Sequence, residues 1–92
     1  VGMQSVETAY YLRVEARDRP GVLADITGIL SNAGISIEAI IQKQPAPSAE
    51  TVPVILLTHR VQEVRMDEAC GRIEAMEAIH GHVTRIRVEA LR

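Results

Sequence analysis

From Tyr10 to Ala16, apolar Tyr10, Leu12, Val14 and Ala16 alternate with Tyr11, Arg13 and Glu15. That period of two belongs to a strand with one buried face. The alternation stops at Asp18-Arg19-Pro20-Gly21. A new spacing begins there, with Val22, Ile26, Ile29, Leu30 and Ala33 at i, i+4, i+7, i+8 and i+11. Such a stripe lies along one side of a helix. Few chains can change period so abruptly without a tight strand-to-helix turn. Pro20 fixes φ where a helix begins and loses no hydrogen bond it would have made. Gly21 lets the backbone turn sharply or lets another molecule come close. The amides of Val22 and Leu23 then become unpaired donors at a helix start, a place that attracts an anionic group.

The remaining segments continue this alternation of elements. Gly28 inside the helix costs about 1 kcal/mol relative to alanine, and Asn32-Ala33-Gly34 ends it. Ile35 to Gln44 reads as a second strand, with Ile35, Ile37, Ala39 and Ile41 on one face and Ile40 on the other. Pro45 to Thr51 is a loop by composition. Val52 to His59 is apolar on both faces, as in a central strand. Residues 60 to 66 read as a polar connection, with Asp67 as N-cap of a second helix. That helix carries Ala69, Cys70, Ile73, Met76 and Ile79, and Gly81 closes it. Val83 to Glu89 is the last strand. Residues 1–8 are read as a flexible lead-in and 9–92 as the folded domain.

The order β-α-β-β-α-β predicts an α+β fold, a ferredoxin-like βαββαβ sandwich. Its four-stranded antiparallel sheet has the spatial order 4-1-3-2, with both helices on one face. The other face carries aliphatic side chains with no helix above them. Such a patch marks an interaction surface, for another copy or for the rest of the same polypeptide.

Composition narrows the function. Ninety-two residues make one domain with a modest core. The net charge is −2 and there is no Phe or Trp, so neither a basic surface nor a stacking platform for nucleic acid exists. No apolar run is long enough to span a membrane, and Val1-Gly2-Met3-Gln4 lacks the basic and apolar regions of a secretory signal. Two residues precede Met3, as expected of an excised piece of a longer protein or of residues added in cloning. One cysteine, Cys70, forms no internal disulfide and fits a reducing, cytoplasmic setting.

Candidate chemistry is sparse. His80-Gly81-His82 lacks further metal ligands nearby and reads as a polar turn. Cys70 lies in an apolar stripe without a neighbouring base and reads as a small core residue. There is no glycine-rich nucleotide loop, so neither a catalytic residue nor a metal site is assigned. Ligand binding at the turn remains. A free amino acid needs donors for its carboxylate, an acceptor for its ammonium and an apolar space for its side chain. Gly21, Val22 and Leu23 supply backbone donors, and Asp18 either accepts from the ammonium or caps the turn. Ser36 offers a hydroxyl beside Ile35 and Ile37, at the far end of the first helix. One small ligand reaches both places only if two copies pair antiparallel along that helix and the second strand.

The run Asp18 to Leu23, followed by Asn32-Ala33-Gly34-Ile35-Ser36-Ile37, resembles the ACT domain, a small ligand-binding regulatory module of amino-acid metabolism. The runs Gly34 to Lys43 and Val52 to His59 are similar to the C-terminal ACT domain of bacterial homoserine dehydrogenases. The resemblance implies ACT domains associated in pairs with amino-acid effectors between them, here threonine. It places the ligand at Asp18, Arg19, Pro20, Gly21, Val22 and Leu23 of one copy and at Ser36 and Ile37 of the next. It also implies a parent enzyme that reduces aspartate semialdehyde with NAD(P), the cofactor bound by N-terminal dehydrogenase domains and not by these residues. Serine-binding ACT domains often carry Asn where Asp18 and Ser36 stand, which leaves the effector's identity open. The alternatives are a purely structural assembly module of the same enzyme, an ACT domain of another amino-acid biosynthetic enzyme, or a free-standing ferredoxin-like enzyme or metal carrier.

Overall fold

A computed structural model describes residues 7–44 and 50–88. The elements are β1 (Glu7–Arg17), α1 (Val22–Asn32), β2 (Ile37–Gln42), β3 (Thr51–Thr58), β4 (Val61–Gln62), α2 (Glu63–Glu74) and β5 (Ile79–Val88). β1 is central. It pairs antiparallel with β3 on one edge and with β5 on the other, and β2 pairs with β3. The order β5-β1-β3-β2 is the expected 4-1-3-2. The two-residue β4 is an addition, pairing with Glu7 and Thr8 of β1. Those two residues were expected in the lead-in; residues 1–6 of it lie outside the described residues, as do residues 45–49 of the expected loop.

One sheet face packs on both helices. Tyr10, Leu12, Val14 and Ala16 of β1 and Val52, Val54 and Leu56 of β3 join Ile26 and Leu30 of α1 and Met66, Ala69 and Ile73 of α2 in a single buried cluster. Each fully buried large aliphatic side chain there is worth about 1.5–3 kcal/mol. Arg85 and Arg87 of β5 reach α2 as a ladder, pairing with Asp67 and Glu63. These pairs are exposed, so they fix the placement of α2 more than they stabilise it.

Three irregularities separate the structure from the simple alternation of the sequence. Between Ile37 and Ala39 the β2–β3 register slips. Ile40 therefore sits opposite Leu56 on the helix side, and Ile41 sits opposite Ile55 on the uncovered side, the reverse of the expected faces. Between β3 and β4 one extra residue interrupts pairing with β1, and the Tyr10 N–H donates to Thr58 Oγ1 at 3.1 Å instead. In β5, residues 81–83 bulge opposite Val14, where Gly81 takes φ +78°. The Val83 N–H freed by that bulge donates to Glu74 Oε2 at 2.7 Å.

Some expected boundaries are corrected. Gln62, extended in backbone, precedes α2 directly, so Asp67 is not the N-cap. The helix starts early because Met66 completes a buried stripe of Met66, Ala69, Cys70 and Ile73, at i, i+3, i+4 and i+7. α2 ends at Glu74, leaving Met76 in the connection and Ile79 in β5, and Gly81 is a strand bulge and not a helix end.

Candidate functional site

β1 delivers the chain to the turn and α1 carries it away. Arg19 N–H donates to the Arg17 carbonyl at 2.9 Å, a tight reversal. The N-cap of α1 is Gly21, with φ +88° and ψ −15°, and no side chain caps the helix. Pro20 therefore stands one residue before the cap and not in the first helical turn. Val22 N–H makes a long 3.4 Å bond to the Arg19 carbonyl and Asp25 N–H bonds Gly21. Among the described residues, the amides of Leu23 and Ala24 have no acceptor. These free donors, with the positive end of the α1 dipole, make an anion-attracting end. Asp18 is exposed and its carboxylate caps nothing. Of its two expected roles, the structure removes the cap.

The turn opens on a cleft of about 80 Å³. Asp18, Arg19 and Leu23 form its rim, and Ala16, Val52 and Val54 form an apolar wall. Gln42 enters this cleft from the far end of β2. The sequence reading missed it. The register slip at residues 37–39 puts Gln42 opposite Val54 on the helix side; without the slip it would face away. A polar residue in register with a buried valine is the available signal, and it becomes readable only once the pairing is known. Beyond Arg19 lies a second, open depression lined by Pro20, Val22, Asp25 and Met76. The Arg19–Glu77 ion pair, 3.1 Å, crosses it. Its hydrogen bond and charge hold the Glu77 carboxyl below its ordinary range.

Ser36 and Ile37 do not share this cleft within one protomer. α1 has 11 residues, so they lie about 16 Å from the turn at 1.5 Å per residue. The Ser36 carbonyl accepts from His59 N–H at 2.9 Å, which ties the start of β2 to the end of β3. Ser36 is exposed, while Ile37 packs against the core. Arg65 closes the nearby end of α1 by donating to the Ala33 carbonyl at 3.2 Å. Cys70 is buried in the core, and burial pushes its thiol up, with the Arg85 guanidinium pulling the other way. Among the described residues there is no group of three or more His, Cys, Asp or Glu placed to hold a metal ion. His82 lies 3.6 Å from the Glu74 carboxylate on the surface.

The sequence of residues 10–75, which spans this turn and most of the sheet, matches the family model of the ACT domain. The chain belongs to the ACT domain family. It is 51% identical over 89 residues to a homoserine dehydrogenase of Pseudomonas aeruginosa, covering 97% of this chain and 20% of that protein. A homoserine dehydrogenase of Methylobacillus glycogenes is also 51% identical, over 86 residues, covering 94% and 21%. The crystal structure of a homoserine dehydrogenase from Thiobacillus denitrificans superposes with a TM-score of 0.83 at 50% identity, covering 97% of this chain and 19% of that one. This ACT domain thus spans about a fifth of the length of the relatives it matches.

Proposed function

We propose that this ACT domain is the amino-acid sensor of a homoserine dehydrogenase, with threonine as the effector, in a reducing cytoplasmic setting. One observation carries the reading: an uncapped helix start with unpaired Leu23 and Ala24 amides stands beside a cleft lined by Asp18, Leu23, Gln42 and the apolar Val52 and Val54. A carboxylate finds donors there, an ammonium finds Asp18, and a short side chain finds the apolar wall. The hydroxyl of a threonine finds the Gln42 amide. The small cleft favours such a side chain over an aromatic one.

Pairing of two copies completes the site. β2 is an edge strand, its outer edge unpaired among the described residues, and Ile40 is 39% exposed on it. An antiparallel partner along α1 and β2 brings the partner's Ser36 and Ile37 up to the turn. Effector binding then favours one arrangement of the pair, and that preference is what reaches a distant active site. The nicotinamide and the reduction of aspartate semialdehyde fall to the rest of the polypeptide, because these residues carry no glycine-rich dinucleotide fingerprint. Calorimetry on the verified dimer with threonine and a panel of other amino acids tests the reading. Saturable heat with threonine is expected; no heat with any amino acid refutes sensing and leaves the structural assembly role.

A further inference from the structure

The sheet face away from the helices is apolar in a graded way. Val88 and Ala9 form its first row, and Ile86, Tyr11, Leu57 and Ala39 form a second row crossing all four long strands. Ile55 and Ile41 continue it beside Arg13, and the last row turns charged with Glu15. Ile55 is only 7% exposed although it stands apart from the helix-side core, covered by its neighbours on this face. On the same face Ile41, Val88 and Ile86 remain 48%, 45% and 52% exposed.

We infer that this face docks on the remainder of its own polypeptide, the part outside residues 1–92. Three observations select that occupant over a second copy. The relatives at 51% identity extend well beyond this chain, which covers 20% of one and 21% of the other. The first and last described strands reach the same end of this face together, since Val88 pairs with Ala9, two residues from Glu7. The patch is also small. With strands about 4.8 Å apart and same-face residues about 6.8 Å apart it covers on the order of 300 Å². A free-standing dimer wants about 800 Å² from each partner. A contact between domains of one chain needs less, because the tether supplies a high local concentration. The inference goes beyond amino-acid sensing and rests only on this ACT domain being part of a longer chain.

The test uses the full-length protein, without added amino acid, carrying a photo-crosslinking phenylalanine at Ile86. A second variant places it at Ile41, and a control at Val64, an equally apolar α2 residue that is 69% exposed. Docking predicts crosslinks from Ile86 and Ile41 to residues of the same chain outside 1–92, and none from Val64. Crosslinks to residues 1–92 of a second chain overturn the inference in favour of a pair of ACT domains. Absence of crosslinks from both test positions in folded, active protein overturns it in favour of an open face. In cysteine variants at these positions, a face docked about 90% of the time also slows maleimide labelling about tenfold relative to Val64→Cys. Equal rates refute docking. A failure of amino-acid binding in calorimetry leaves either outcome readable.

Discussion

Replacing Gly21 by alanine isolates the turn from everything around it. Gly21 holds φ +88°, and a Cβ built there meets nothing within 4 Å. Packing therefore contributes nothing to the cost, and only the backbone conformation does. An L-residue in the left-handed region costs about 1–2 kcal/mol. Asparagine tolerates that region better, so Gly21→Asn costs less than Gly21→Ala. For a domain of this size a urea slope of about 1 kcal/mol per molar converts the alanine cost to a midpoint shift of roughly 1–2 M. Urea titration followed by circular dichroism reads that shift directly. Amino-acid affinity read on the same samples should fall with alanine, because the strained turn re-aims the Leu23 and Ala24 amides. If Gly21→Ala unfolds at the parent midpoint, the turn is not left-handed in solution, and the assignment of those amides as carboxylate donors fails with it.

Other consequences are as concrete. Thr58 is 1% exposed and its Oγ1 is the only acceptor for Tyr10 N–H among the described residues. Thr58→Val keeps the shape and leaves that amide unpaired, at a cost of about 1–3 kcal/mol by denaturant titration. Gln42→Leu keeps the wall of the cleft and removes its amide; loss of one hydrogen bond of about 1 kcal/mol weakens threonine roughly fivefold by calorimetry, with stability unchanged. Burial raises the Cys70 thiol above its ordinary value of 9.0. The folded chain thus holds this proton more tightly than the unfolded one. That contribution is complete below the unfolded value and is lost as pH rises past it. Urea midpoints of Cys70→Ala measured between neutral pH and pH 10 should lack the part of the alkaline decline that the parent owes to this thiol; an identical decline would contradict the assignment.

The element order was legible because two periods, 2.0 and 3.6, alternate with little overlap along the chain. The buried residues of β1 and α1, Leu12, Val14, Ile26 and Leu30, follow directly from them. The start of α2 was not legible. Val61 and Met66 are the sole apolar anchors among residues 60–66 apart from Val64, which points to solvent, so a polar connection was the simpler reading. The bulges at residues 37–39, 58–60 and 81–83 were hidden for a different reason. A slip of register depends on the partner strand, and a single sequence does not carry its own pairing. That is why Ile40 and Ile41 exchanged faces and why Gln42 was overlooked. Of the site itself, the turn from Asp18 to Leu23 was plain in the sequence. The loss of a capping role for Asp18 needed the observed N-cap at Gly21.

The central claim is that one effector site draws on two chains, Asp18 from one and Ser36 from the other. Mixing Asp18→Ala chains with Ser36→Ala chains tests it most directly. Each variant alone should bind threonine weakly at every site. Their heterodimer should regain about one intact site, formed by the turn of the Ser36→Ala chain and the Ser36 of the Asp18→Ala chain, with the second site doubly impaired. Calorimetry on the purified heterodimer should therefore report parent-like affinity at half the parent stoichiometry. Weak binding at every site of the heterodimer, no better than in either variant alone, would contradict the shared site.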